Sequence, residues 1–254
     1  MPQINGKPVF AEREGEGPAV LFIHGLGGTT NFYEPQARAL ADGHTVIRFD
    51  LTGAGRSPLA GTTSVESWAE DAEAILDHFS IREAAVVAHS MGTLNAASLA
   101  ATRPERVTKL ALLGALRAQP ETAKQATRQR AATVRNQGME AVAPGIVAAA
   151  TSERTRRDHP AVAAFVRELL FRQDPSGYAA CCEALANAVT PDYAGIGVPV
   201  LFIAGSEDKT SPPELSQALA KEVTSGSVEV IDDIGHWHAI EAAGQVTSAL
   251  RAFL

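Results

Sequence analysis

Cysteine is scarce in this sequence. Only two of its 254 residues are cysteines, Cys181 and Cys182, and these two are adjacent. Neighbours in sequence are poor partners for an unstrained disulfide, and two thiols alone do not make a metal-binding framework. This usage is typical of a reducing compartment, so we expect a cytoplasmic protein that holds no metal ion.

Long hydrophobic runs and an excess of positive charge are also missing. The longest apolar runs, Ala19–Ile23 and Val198–Ala204, have the length of a strand, and the first ten residues lack the apolar core of a signal peptide. The chain has 22 basic and 29 acidic side chains, for a formal charge of −7. Because binding to a nucleic-acid backbone rests on clustered Lys and Arg, we expect neither a nucleic acid nor a membrane as partner.

The sequence does contain a regular alternation of two kinds of segment. Short segments rich in Val, Ile and Leu alternate with longer segments of helical period, and 45% of the residues are hydrophobic. This pattern predicts an α/β fold, in which helices cover both faces of a mostly parallel, doubly wound sheet. No internal repeat or low-complexity linker divides the chain, so one domain is expected. The predicted strands are 19–24, 45–50, 84–89, 107–113, 198–204 and 227–231, preceded by a small hairpin at Asn5-Gly6.

The clearest helix follows Thr63. Apolar residues recur on one face between Val65 and Phe79, while acidic residues occupy the other face. Thr63 and Glu66 have the spacing of a capping box, which predicts that the helix begins there.

The strand pattern is interrupted between about residues 115 and 190 by helical, alanine-rich sequence. The simplest interpretation is a helical cap, residues 115–190, inserted after the sixth strand into a core formed by residues 1–114 and 191–254. Between Arg117 and Arg157 there are eight basic and three acidic residues, a local charge of +5. This stretch is either the solvated face of the cap helices or a charged entrance for an anionic substrate.

A candidate nucleophile lies in the segment Ala88-His89-Ser90-Met91-Gly92, between a predicted strand and an alanine-rich helix that runs to about Thr102. A serine at a sharp strand-to-helix turn is held above the sheet, and small flanking residues let the backbone turn there. The same five residues are also compatible with an ordinary turn in which the serine caps the helix.

A glycine-rich loop, His24-Gly25-Leu26-Gly27-Gly28, follows the first long strand. Glycines allow the backbone to approach a ligand closely, so the N–H of Leu26 could join the N–H of Met91 in stabilising an oxyanion. The loop lacks the full spacing of a dinucleotide-binding turn, and no Lys-Ser/Thr pair follows as in a nucleotide-triphosphate loop. A plain glycine-rich turn is the alternative.

A carboxylate and a histidine follow two later strands. Asp208 comes after strand 198–204, at the sheet edge where Ser90 is expected, and Glu207 is its nearest rival. His236 lies in the loop after the last strand and is preferred to His238 as general base, because Gly235 before it allows a close approach. Each of these side chains could instead be a turn cap or a surface residue.

The order Ser90, Asp208, His236 is the one expected of a hydrolase with a nucleophile at a strand-to-helix elbow. Over nearly its whole length the chain resembles the α/β-hydrolase superfamily, and the turn from Asp50 to Ser57 is similar to a structural turn of that superfamily. The cap segments 135–139 and 173–185 resemble those of 3-oxoadipate enol-lactonases. Ala88, Thr93 and the pair Trp237-His238 depart from the usual pattern.

The resemblance implies hydrolysis of a small carboxylic ester or lactone by a Ser90-His236-Asp208 triad, without metal or cofactor. His24, Gly25 and Trp237 are the residues expected to contact the substrate. Two other functions stay open, a cofactor-free perhydrolase or haloperoxidase-like activity with the same triad, and a lactone-binding receptor of the same fold.

Overall fold

The computed structural model describes residues 1–254 and consists of nine strands and eleven α-helices, with four short 3-10 helices between them. The strands are β1 Gln3–Ile4, β2 Lys7–Pro8, β3 Ala11–Glu14, β4 Ala19–Ile23, β5 Thr45–Phe49, β6 Ala84–His89, β7 Val107–Leu113, β8 Val200–Gly205 and β9 Gly226–Ile231. The helices are α1 Glu34–Leu40, α2 Val65–His78, α3 Met91–Thr102, α4 Glu121–Gln137, α5 Ala143–Ala150, α6 Glu153–Asp158, α7 Pro160–Phe171, α8 Pro175–Asn187, α9 Pro213–Ala220, α10 His238–Glu241 and α11 Ala243–Phe253.

Seven strands form the central sheet in the order β3-β5-β4-β6-β7-β8-β9. β3 is antiparallel to β5, and every other neighbouring pair is parallel. The chain leaves β4 for β5 and returns to pair β6 with β4, so the loops after β4 and β6 open beside each other. Because parallel strands end at one edge, the loops after β8 and β9 reach that edge too, and a site can be assembled there.

The six predicted long strands are present, but the strand β3 was not predicted. Its sequence is Ala-Glu-Arg-Glu, and it pairs on one side only, at the edge of the sheet. Edge strands often carry charged side chains, so the apolar pattern used to predict strands is missing. The helices α4 to α8 follow the strand 107–113 as expected, and this strand becomes the seventh, β7, once β3 is counted.

The helix α2 begins one residue later than predicted. Ser64, and not Thr63, is the N-cap residue, and its Oγ accepts a hydrogen bond from the N–H of Ser67 at 3.1 Å. Ser67 Oγ in turn accepts from the N–H of Ser64 at 3.0 Å, so Ser67 replaces Glu66 in the capping box. The predicted apolar face is confirmed, since Trp68, Ile75 and the other apolar residues of that face from 65 to 76 are buried.

Two hydrophobic clusters cover the two faces of the sheet. One contains side chains of α2, α3 and α9, and the other contains side chains of α1, α11 and four of the helices that connect β7 to β8, namely α4, α5, α7 and α8. The helix α8 contributes to both clusters, because Cys181 packs in the first and Cys182 in the second. Both thiols are buried and free. No helix of the chain has both the length and the apolar character needed to cross a membrane.

Candidate active site

Ser90 occupies the sharp turn between β6 and α3. Its backbone has φ 51° and ψ −122°, a conformation that non-glycine residues rarely adopt and that costs about 1–3 kcal/mol. Packing leaves little room around this turn. A Cβ added to Gly25 would lie 2.8 Å from Ser90 Cβ, and one added to Gly92 would lie 2.6 Å from the carbonyl oxygen of His24. The two glycines therefore allow the loop after β4 to contact the serine turn directly.

The structure brings Ser90, His236 and Asp208 together. His236 Nε2 lies 2.7 Å from Ser90 Oγ, and His236 Nδ1 lies 2.7 Å from Asp208 Oδ2. Nδ1–H donates to the carboxylate in this arrangement, which leaves Nε2 to accept the hydrogen bond of the serine hydroxyl. The backbone N–H of His236 donates to the carbonyl of Ala150 at the end of α5 at 2.7 Å, so a cap helix holds this loop.

Asp208 is fixed by its own backbone turn. Its Oδ1 accepts hydrogen bonds from the N–H groups of Thr210 at 2.8 Å and Ser211 at 2.9 Å, and its side chain is fully buried. Burial alone would raise the pKa of Asp208, but the charge and hydrogen bond of His236, with smaller effects of His238 and the N–H of Ser211, outweigh it and hold the pKa below the usual value. The rival Glu207 is exposed and accepts from the N–H of Glu153 at 3.2 Å.

His238, the rival base, approaches the same carboxylate oxygen as His236, and the two ring centroids are 5.8 Å apart. Its ring is fully buried, and its Nε2 is 3.5 Å from Asp208 Oδ2, beyond a good hydrogen bond. Burial lowers the pKa of His238 to about 4, although the Asp208 carboxylate acts in the opposite direction. Neither ring nitrogen of His238 forms a hydrogen bond with Ser90, and the imidazole is neutral at pH 7.

Three buried imidazoles, those of His89, His236 and His238, form one group that could hold a metal ion, with ring nitrogens within 4.8 Å of one another. His89 Nε2 already contacts the carbonyl of His236 at 2.7 Å. Both nitrogens of His236 are also engaged, so a cation would bind here only by breaking the contacts with Ser90 or Asp208.

The loop that carries Leu26 forms a closed turn, in which the N–H of Gly28 donates to the carbonyl of Gly25 at 3.0 Å. Neither the N–H of Leu26 nor that of Met91 donates to an acceptor in a turn, loop or cap. Leu26 lines the same cavity as Ser90, and Met91 is the first residue of α3. Two unpaired donors thus flank the serine, as an oxyanion site requires.

The three predicted substrate contacts differ in their placement. Trp237 lines the cavity, whereas His24 does not. His24 is buried, and its Nδ1–H donates to the carbonyl of Gly25 at 2.8 Å while its Nε2 accepts from the N–H of Leu51 at 3.0 Å. Both nitrogens are used to hold the loop after β4 against the turn after β5. Gly25 likewise packs on Ser90 rather than facing the cavity.

The cavity beside Ser90 has a volume of about 530 Å³ and lies between the sheet edge and the cap. Most of its lining is apolar, and its charged lining residues are the three cations Arg117, Arg130 and Lys209. A surface groove of about 510 Å³ between α1 and α7 is lined by no serine, cysteine or histidine, and its one carboxylate, Glu34, pairs with Arg38 and Arg48. The cavity at Ser90 is therefore the candidate active site.

The basic stretch is divided between the cavity and the protein surface. Arg117 and Arg130 line the cavity. Sequence reasoning did not single out these two residues, because it could not place the residues of the cap. Arg117 pairs with Glu222 outside the cavity, whereas Arg130 forms no ion pair. Most of the remaining cations pair with carboxylates at the surface, namely Arg128, Arg135, Arg154 and Arg157.

The turn after β5 is held together by its own side chains. Asp50 Oδ1 accepts from the N–H of Thr30 at 2.7 Å, and Asp50 Oδ2 accepts from the N–H of Arg56 at 2.9 Å. Ser57 Oγ donates to the carbonyl of Asp50 at 2.7 Å. These contacts fit the structural role expected of this turn.

Residues 18–243 match the family described as having the alpha/beta hydrolase fold. The chain is 31% identical to 3-oxoadipate enol-lactonase 2 of Acinetobacter baylyi over 85% of this chain and 80% of that protein. It is 30% identical, over 94% of each chain, to a Mycobacterium tuberculosis protein that carries the name of a non-heme bromoperoxidase, BpoC.

Two solved structures are similar over nearly the whole chain. An enol-lactonase from Burkholderia xenovorans LB400 superposes with a TM-score of 0.92 at 27% identity, covering 99% of this chain and 98% of that one. A thermophilic esterase from Thermogutta terrifontis superposes with a TM-score of 0.91 at 29% identity, covering 96% and 92%. With the family match over most of its length, the chain belongs to the α/β-hydrolase family.

Proposed function

We propose that this protein is a serine hydrolase that cleaves a small carboxylic ester or lactone through an acyl-enzyme. The observation that carries the proposal is the hydrogen-bonded chain from Ser90 Oγ through His236 to Asp208, with both contacts at 2.7 Å. A strained serine turn beside two unpaired N–H groups adds support, since this combination is suited to attack on a carbonyl.

In the first half of the proposed reaction, His236 Nε2 takes the proton of Ser90 as Oγ attacks the carbonyl carbon. The ionised Asp208 stabilises the imidazolium that forms. The N–H groups of Leu26 and Met91 donate to the oxyanion of the tetrahedral intermediate, and one such donor is worth about 10²–10³-fold in turnover. His236 then gives the proton to the leaving alcohol oxygen, and the acyl group stays on Ser90.

In the second half, His236 takes a proton from water as the hydroxide adds to the acyl carbon. The bond to Ser90 Oγ then breaks, His236 returns the proton to that oxygen, and the acid is released. In a lactone the alcohol remains tethered to the acyl group, so a cavity that holds it away from Ser90 limits recyclisation. The sequence of steps needs no group beyond water and the residues already named.

The test is the variant Ser90→Ala. Hydrolysis of p-nitrophenyl acetate should fall by at least about 10³-fold, and labelling by a fluorophosphonate should disappear. Ser98→Ala, on the same helix α3, is the matched control and should keep both. If Ser90→Ala keeps most of the wild-type rate, Ser90 is not the nucleophile. Several turnovers per molecule of enzyme would also distinguish a hydrolase from a lactone receptor.

We further propose that the preferred substrate carries a carboxylate away from the scissile carbonyl. Support comes from the three cations of the cavity lining and from Arg130, which forms no ion pair. Mono-p-nitrophenyl adipate should therefore be hydrolysed with a higher kcat/KM than p-nitrophenyl hexanoate, whose chain has the same length. The preference should shrink with added salt. Equal rates for the two esters would contradict it.

A perhydrolase or haloperoxidase-like activity is the second candidate, favoured by the resemblance to the protein named BpoC. In this reaction a carboxylic acid acylates Ser90 with loss of water, and hydrogen peroxide then takes the acyl group and leaves as a peracid. Bromination of a dye in acetate, bromide and peroxide would measure it. Turnover above that of ester hydrolysis would favour this candidate over the first.

A further inference from the structure

The side chain of Gln173 joins the cap to the glycine loop after β4. It lies between α7 and α8 and is only 4% exposed. Its Nε2 donates to the carbonyls of Leu169 at 3.0 Å, Gly27 at 3.2 Å and Gly28 at 3.4 Å. Its Oε1 accepts from the N–H of Gly55 at 3.1 Å. One buried amide therefore links the cap, the glycine loop and the turn after β5.

The glycine loop depends on the cap for its position. A Cβ added to Gly27 would lie 2.6 Å from Leu170 Cδ2 and 3.4 Å from Tyr178, so cap side chains already touch its backbone. Gly27 has φ +79°, and Leu26, immediately before it, carries one of the two unpaired N–H groups beside Ser90. Because peptide units are planar, holding the carbonyl of Gly27 also holds the N–H of Gly28. That N–H donates to the carbonyl of Gly25, which lies in the same planar unit as the N–H of Leu26, so the direction of the Leu26 N–H is restricted.

We propose that Gln173 is a positioning residue for the oxyanion donor Leu26, so that docking of the cap segment sets the geometry of the oxyanion site. This inference rests on the proposed function, in which Leu26 donates to the intermediate formed on Ser90. Gln173 does not line the cavity and acts through the loop alone. A misplacement of about 1 Å in a catalytic group can cost about 10²-fold in rate, so a modest shift of the loop is measurable.

The principal variant is Gln173→Met, which keeps the length of the side chain and removes its donor and its acceptor. We expect kcat/KM for p-nitrophenyl acetate to fall by about 10-fold. This is less than the ~10²–10³-fold loss caused by removing an oxyanion donor altogether, because the N–H of Leu26 is displaced and not removed. Affinity for phenylboronic acid, which forms a tetrahedral adduct on a nucleophilic serine, should fall in parallel. Inhibition by acetate, which forms no such adduct, should stay within about twofold of wild type.

A matched control is Gln36→Met. Gln36 is also a buried glutamine, and its Nε2 donates to the carbonyls of Ala239 at 2.8 Å and Ala243 at 3.3 Å, away from the glycine loop. This variant should lose stability in a similar way but keep wild-type affinity for phenylboronic acid.

Gln173→Glu is the conservative variant and also covers the case in which Gln173→Met does not fold. Burial favours the neutral carboxyl group, whose single O–H can donate to one carbonyl while the other oxygen still accepts from the N–H of Gly55. The affinity of Gln173→Glu for phenylboronic acid should therefore lie between the affinities of wild type and Gln173→Met. A purely structural residue would not give this graded effect.

The inference is overturned if the folded Gln173 variants bind phenylboronic acid as tightly as Gln36→Met does. Failure of the proposed function has a different signature, since Ser90→Ala would then bind phenylboronic acid like wild type. A fall in both affinity and kcat/KM for Gln173→Met, with partial recovery in Gln173→Glu, supports the inference.

Discussion

Acidification should unfold this protein partly through histidines that folding buries in the neutral form. His238 is fully buried, and burial lowers its pKa from 6.5 to about 4. Burial also lowers the pKa values of His24 and His89, with the neighbouring His236 and His238 adding to the shift at His89. In the unfolded chain these imidazoles have their ordinary pKa near 6.5. Below that pH the unfolded chain binds protons that the folded chain does not.

The sign and size of the effect follow from His238 alone. Its contribution to stability is complete above about pH 6.5 and is lost as the pH falls toward 4, the folded pKa. Between pH 7 and pH 5 the two pKa values give a loss of about 2 kcal/mol in the free energy of unfolding. Asp208, whose pKa is lowered in the folded protein, affects stability in a different pH range. Its contribution to the free energy of unfolding is lost only below the usual carboxyl pKa near 3.8.

The assay is urea unfolding followed by tryptophan fluorescence between pH 7 and pH 4.5. His238→Asn should lower the slope of the free energy of unfolding against pH by up to the contribution of one proton, about 1.4 kcal/mol per pH unit. This change in slope is expected whatever the effect of the substitution on stability at pH 7. His159→Asn removes an exposed histidine and should leave the slope unchanged. If wild type and His238→Asn lose stability equally between pH 7 and pH 5, burial of His238 does not govern acid unfolding.

Three further predictions concern the site and the core. Gly25→Ala should lower kcat at least about 10-fold in a folded protein, because the new Cβ would lie 2.8 Å from Ser90 Cβ; retained activity would show that the loop adjusts freely. Arg130→Gln should raise KM about 10-fold for mono-p-nitrophenyl adipate and leave p-nitrophenyl hexanoate unchanged, whereas equal changes would argue against a carboxylate contact. Lys7→Met should cost about 3–5 kcal/mol in urea unfolding, because it leaves Asp71, 2.5 Å from Lys7 Nζ, buried without its ion-pair partner; a loss below about 1 kcal/mol would contradict this.

The errors of sequence reasoning arose where the local pattern was weak. The edge strand β3 has three charged residues in four, so it gives no apolar pattern, and the count of strands before the insertion was one too low. Ser64 and Ser67 formed the capping box in place of Thr63 and Glu66, because a shift of one residue keeps the same spacing. His24, a predicted substrate contact, is engaged within the fold, where its ring nitrogens bind Gly25 and Leu51.

The α/β class and the order of the chemistry-bearing loops could be read from the residues alone. Apolar runs of strand length alternate with helical periods, and parallel strands all end at one edge of the sheet, so loops far apart in sequence must open side by side. A serine between a strand and a helix, with an acid and a histidine after two later strands, was therefore enough to predict where they would lie.

Tertiary packing alone decided which of two neighbouring acids and two neighbouring histidines face each other. Asp208 and His236 meet at 2.7 Å, while Glu207 is exposed and His238 stays 3.5 Å from the same carboxylate. The contacts of Gln173 and Arg130 could likewise not be predicted from the sequence. The packing of several amphipathic helices over a sheet depends on the volumes of side chains that come from distant parts of the chain. A local pattern fixes which face of a helix is apolar, but the neighbour of that face is fixed only when the whole chain has folded.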